Sequence, residues 1–129
     1  MKKGSFLFLA VVLLGLFLAA CSGGSSPTNV TVTLTDFAYT PNTITVPTGK
    51  EITVNLINKG VPHDFTIVST PVTGTYDPTK TKIIFQLPVD GTSTATGKFM
   101  APAPGTYQIL CTKPGHFEEG MTATLVVTP

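Results

Sequence analysis

From Val30 onward the chain is cut into short runs of Val, Ile, Thr, Phe and Tyr by Pro, Gly, Asn and Asp, and no stretch carries a helical repeat of apolar residues. β-branched and aromatic side chains fit a pleated, half-buried surface, and several runs alternate apolar with polar residues as such a surface requires. Candidate strands cover residues 30–34, 43–46, 52–57, 64–68, 82–87, 93–99, 106–111 and 122–127. Turn residues fall between them in Pro47-Thr48-Gly49, Asn58-Lys59-Gly60, Val89-Asp90-Gly91 and Pro102-Ala103-Pro104-Gly105. About eight strands in roughly 100 residues imply an all-β fold, a sandwich of two sheets. Residues 69–81, with Pro71, Gly74 and Pro78, read as a longer excursion between strands to which the sequence assigns no role.

The N-terminus has a different character. Lys2 and Lys3 precede a nearly unbroken apolar run from Phe6 to Ala20, the order of a secretory signal. A bilayer span needs about 20 apolar residues, so removal of this run is expected rather than permanent insertion. Leu18-Ala19-Ala20-Cys21 resembles the lipobox of bacterial lipoproteins, which implies that Cys21 carries a diacylglyceryl group and becomes the mature N-terminus. Residues 22–29, Gly/Ser-rich and without an apolar side chain to bury, form a flexible leash with a mean reach of about 15 Å. The expected organisation is a signal over 1–20, a lipidated cysteine and linker over 21–29, and one domain over 30–129, exported and anchored by lipid to the outer face of the cell membrane or in the periplasm. Two of the eight lysines lie in the signal, which leaves six against seven acids, and the six are scattered among threonines. Polyanion binding needs a clustered basic surface, so nucleic acid is not an expected partner.

Beyond Cys21 one cysteine remains, at the end of a candidate strand in Cys111-Thr112-Lys113-Pro114-Gly115-His116-Phe117-Glu118-Glu119-Gly120-Met121. A strand ending at Cys111, a turn through Pro114-Gly115 and a restart at Met121 would bring a thiol, an imidazole and a thioether toward one point. The remaining histidine, His63, follows the turn at residues 58–62 and opens a strand. Two imidazoles, one thiolate and a weak, distant thioether are the ligand set of a trigonal type 1 copper site. Thiolate donates strongly to Cu(II), imidazole suits both oxidation states, and the soft thioether does not enforce a tetragonal geometry.

The segments Asn58-x-Gly60-x-x-His63-Asp64-Phe65 and Gly105-Thr106-Tyr107-x-x-x-Cys111-x-x-Pro114-Gly115-His116-x-x-x-x-Met121 resemble the two copper-binding segments of cupredoxins. The equal spacing on both sides of His116 is most similar to auracyanins and rusticyanin. The resemblance implies a Greek-key β-sandwich, one copper ion and single-electron shuttling between redox partners. The expected ligands are His63, Cys111, His116 and Met121, the expected partners membrane oxidoreductase complexes or cytochromes, and the expected state a monomer; one saturated metal site lacks the open position used in metal catalysis, so no enzymatic activity is expected. Where plastocyanins and azurins typically carry asparagine after the first histidine, this chain has Asp64; its charge should favour Cu(II) over Cu(I). Thr112 and Pro114 complete the expected surroundings of the ligands, and Pro114, without an N–H, removes one possible donor to the Cys111 sulfur.

Other readings stay open at this level. A copper carrier or metallochaperone would use similar donors but has to release its ion, and only Met100 and Met121 remain after processing. A metal-free scaffold sandwich is compatible with the strands. A disulfide between Cys21 and Cys111 would consume the thiol beside His116. Met100 reads as core filler, Glu118 and Glu119 as a solvated part of the loop, and Phe117 as either packing or an apolar rim. No Gly-x-Ser-x-Gly and no Walker-type loop is present, which argues against hydrolysis and nucleotide binding.

Overall fold

The computed structural model describes residues 26–129. The expected signal, the expected lipidation site at Cys21 and the start of the expected linker lie outside these residues. Nine strands follow in order: β1 (Asn29–Thr35), β2 (Ala38–Thr40), β3 (Thr43–Pro47), β4 (Glu51–Asn58), β5 (His63–Val68), β6 (Ile83–Val89), β7 (Thr94–Met100), β8 (Gly105–Leu110) and β9 (Thr122–Thr128). One sheet has the order β2-β1-β4-β7 and the other β3-β9-β8-β5-β6. Every expected strand is present within one or two residues at either end. The addition is β2, three residues pinned between the Asp36-Phe37 turn and Pro41 and too short to show a period of its own.

Alternation builds the core. In β1 Val32 and Leu34 point inward, and in β4 Ile52, Val54 and Leu56 do the same, all fully buried. The parallel pairing of β1 with β4 sets Val32 opposite Leu56 and Leu34 opposite Asn58. From the second sheet Phe65, Ile67, Ile109 and Leu125 fill the same interior. Met100 departs from its expected core position: the last residue of β7, it has 59 % of its surface exposed.

Strand β5 is buried along its whole length, His63 to Val68, on both faces. The excursion at residues 69–81 leaves its C-terminal end and is bonded to the neighbouring strand. Gln108, paired with Val68 across β5 and β8, accepts from the Val72 N–H at 2.7 Å and donates to the Val72 carbonyl at 3.4 Å. Farther along, the Tyr76 N–H donates to Glu118 Oε1 at 3.1 Å. The excursion is therefore tied to β8, the strand that leads to Cys111, and to the loop that carries His116.

Candidate metal centre

Three chain segments meet at one end of the sandwich. His63 opens β5, Cys111 follows the last residue of β8, and Met121 immediately precedes β9. Because β8 and β9 are antiparallel, with Leu110 opposite Thr122, the eleven-residue loop must return to its starting point. It does so through successive turns: the His116 N–H donates to the Lys113 carbonyl at 3.0 Å, the Met121 N–H to the His116 carbonyl at 3.0 Å, and the Cys111 N–H to the Met121 carbonyl at 3.3 Å. Gly115 lies at φ +81°, where a side chain would be strained, so Pro114-Gly115 makes the turn expected of it.

The preceding turn is held just as firmly. Asn58 is buried; its Nδ2 donates to the Val61 carbonyl at 2.7 Å and the Asp90 carbonyl at 3.0 Å, and its Oδ1 accepts from the Gly60 N–H at 3.1 Å. That network delivers His63 into the interior with no exposed surface.

The donor atoms converge. His63 Nδ1 lies 3.0 Å from His116 Nδ1 and 3.9 Å from Cys111 Sγ, and His116 Nδ1 lies 3.4 Å from Cys111 Sγ. A triangle with these sides has its centre about 2 Å from each corner, the length of a bond from a d-block ion to imidazole or thiolate. His63 and Cys111 are buried and His116 is half-buried. Met121 is fully buried at the base of the same loop. Its thioether completes a two-imidazole, thiolate, thioether set typical of type 1 copper sites and poorly suited to hard ions such as Mg²⁺ or Ca²⁺.

Burial raises the Cys111 thiol pKa above its ordinary value, against the opposing pull of the Lys113 and Asp64 main-chain N–H groups. Pro114, next in the loop, has no N–H to add to theirs. Desolvation, followed by the neighbouring His63, lowers the His116 pKa.

Asp64 ties the two segments together. Its Oδ1 accepts from the Thr112 N–H at 3.0 Å and the Thr66 hydroxyl at 2.8 Å, and its Oδ2 accepts from the Thr112 hydroxyl at 2.6 Å. Thr112 is therefore the partner through which the cysteine loop is fixed to β5. All three contacts come from groups that can donate to a carboxylate. Asparagine at position 64 retains an acceptor for Thr66 and the Thr112 N–H and removes the charge. Asp64→Asn is expected to raise the reduction potential of the copper-loaded protein, read by voltammetry; an unchanged or lower potential would contradict a charged carboxylate here.

Three neighbours of the site are absent from the sequence reading. Asp36 Oδ1 lies 2.9 Å from His63 Nε2, and Phe37 meets the His116 ring edge-on with centroids 4.9 Å apart. Buried Tyr39 donates its hydroxyl to the Asp64 carbonyl. They belong to the β1–β2 hairpin, about 27 positions before His63, and only the parallel β1–β4 pairing brings them to the site. No local motif marks them.

Residues 6–127 match the family described as Cupredoxin-like domain, and the chain belongs to that family. Over 31 residues it is 61 % identical to Auracyanin-B of Chloroflexus aurantiacus, a match that covers 24 % of this chain and 13 % of that protein's length. The fold is similar to dithionite-reduced auracyanin from the photosynthetic bacterium Roseiflexus castenholzii, with a TM-score of 0.69 and 30 % identity over 81 % of this chain and 100 % of that one. Reduced rusticyanin shares the fold at a TM-score of 0.61 and 24 % identity, over 81 % of this chain and 82 % of that one.

Proposed function

We propose that this protein is a blue copper electron carrier, working at the outer face of a membrane between larger redox proteins, with His63, Cys111, His116 and Met121 as its ligands. The observation that carries this reading is the triangle of His63 Nδ1, His116 Nδ1 and Cys111 Sγ, closed within the protein except at the His116 side. A copper ion in that setting supplies a one-electron couple between Cu(II) and Cu(I). The chain's own residues keep the donors in place through the change of charge: Asn58 fixes the turn before His63, and Asp64 and Thr112 lock the cysteine loop to β5. Four donors leave no open position for a substrate, so the protein acts as a carrier rather than an enzyme.

His116 is the ligand that reaches the surface, and the exposed Phe37 and Val61 give the neighbouring surface an apolar character suited to transient docking. A lipid on Cys21 and the eight-residue leash would keep the domain near membrane-bound partners, as the Lys2-Lys3 pair, the apolar run and Leu18-Ala19-Ala20-Cys21 suggest.

The alternative, a carrier that hands its copper to another protein, has to open the site, and His63, Cys111 and Met121 are all fully buried. Cycling the loaded protein between oxidised and reduced states in the presence of a Cu(I) chelator separates the two. Electron carriage predicts full retention of copper in both states; prompt release on reduction would establish the delivery role instead.

Copper loading also has a proton count. With its pKa raised, the Cys111 thiol is protonated throughout neutral pH, whereas the lowered pKa of His116 leaves that imidazole neutral. The Cys111 thiol therefore gives up its proton on binding, and this group alone should make apparent affinity rise about tenfold per pH unit across the neutral range. Competition titrations at several pH values check this, and a flat profile would contradict it.

A further inference from the structure

Asp36 stands apart from the residues that the spacing of the copper ligands identifies. Its Oδ1 is held from two sides, by the Val61 N–H at 3.1 Å and by His63 Nε2 at 2.9 Å. A carboxylate only accepts, so the Nε2 atom must carry a proton, which in the neutral, metal-binding ring leaves Nδ1 with its lone pair. Nδ1 is the nitrogen that faces Cys111 and His116. Asp36 thus selects the tautomer of His63 that a metal requires.

The chain also keeps a place for this carboxylate. Lys59 donates its N–H to the Leu34 carbonyl at 2.9 Å, drawing the turn at residues 58–62 against the end of β1. At the closest point stands Gly60, where a Cβ would lie 2.8 Å from Asp36 Cγ and closer still to Oδ1. Gly60 is not among the glycines with positive φ, so what excludes a side chain there is space, and Asp36 occupies that space.

We propose that Asp36 is a positioning residue for the copper centre, a carboxylate that locks His63 as an Nδ1 donor and, through its charge on the ring, biases the site toward Cu(II). The proposal rests on the copper reading above. A backbone carbonyl at Nε2 would fix the tautomer equally well; a carboxylate adds a negative charge that makes the imidazole a stronger donor. Asp36 is partly open to solvent, its side chain 42 % exposed, so screening weakens the charge without removing the direct bond to the ring. Asp64 has a different task, since its bonds go to Thr66 and Thr112 and none goes to a ligand ring.

Asp36→Asn separates charge from shape. Asparagine still accepts from Val61 and His63 through its carbonyl oxygen, so a purely structural role for this residue would leave the potential where it is. If the charge matters, the Cu(II)-over-Cu(I) affinity ratio of the loaded full chain falls about tenfold with the blue band retained, a rise in potential of about 59 mV for one electron. Gly60→Ala reaches the same end from the other partner: the displaced carboxylate raises the potential and lowers copper affinity by roughly 10-fold or more. In metal-free protein, nitrogen-resolved NMR should find the His63 proton on Nε2 in the wild type and in Asp36→Asn, and in rapid exchange with water in Gly60→Ala. A blue wild type whose Asp36→Asn form keeps the same or a lower potential overturns the role of Asp36 alone, as does a His63 proton on Nδ1. A wild type that binds copper without turning blue overturns the type 1 centre, and this inference with it.

Discussion

Cys111→Ser removes the blue colour and the reversible couple together while the sandwich stays folded. The change replaces one buried atom by a slightly smaller one in a position with no exposed surface, so the stability cost is about 1 kcal/mol. What disappears is the thiolate: a serine hydroxyl does not ionise in this range and is a hard donor, whereas both the colour and the Cu(I)/Cu(II) balance depend on a soft anionic sulfur. Visible spectra and voltammetry of the copper-treated variant, beside thermal unfolding of the metal-free forms, check this. A Cys111→Ser protein that stays blue would remove this residue from the centre.

The second large effect is on stability. Phe65 heads the fully buried side chains by size, at 1 % exposure, and meets Tyr39 edge-on with ring centroids 6.0 Å apart. Phe65→Ala leaves a cavity in the middle of the interior, for which about 3–5 kcal/mol is the usual loss. Domains of this kind have only about 5–15 kcal/mol in total, so the urea midpoint of the metal-free protein should fall by a large fraction. Because Phe65 lies on β5, two residues after His63, copper affinity should weaken as well. A loss below about 1 kcal/mol would show that the two sheets do not close over this ring as described.

The ligands were legible because the chemistry demands scarce residue types. One cysteine within the domain, two histidines and a methionine at fixed spacing leave few combinations, and the antiparallel return from β8 to β9 turns C-x4-H-x4-M into a closed loop. Asp64 was legible as a neighbour of the metal because it adjoins a ligand in sequence. Asp36, Phe37 and Tyr39 were hidden for the opposite reason: their proximity to the site arises from the parallel pairing of β1 with β4, a contact between strands that no local pattern announces. Strand β2 is three residues long and offers less than two full alternations to read. Met100 looked like core because it extends an apolar strand end, yet the alternation of β7 turns Phe99 inward and Met100 out. The excursion at 69–81 carried no motif, and its attachment to β8 and the ligand loop is visible only in its bonds to Gln108 and Glu118.

The most direct measurement is a titration of the purified metal-free chain with Cu(II), followed by its visible spectrum. A strong thiolate-to-copper charge-transfer band should grow in proportion to added metal and stop at one equivalent. A protein that stays colourless through that addition would contradict a copper centre formed by His63, Cys111, His116 and Met121.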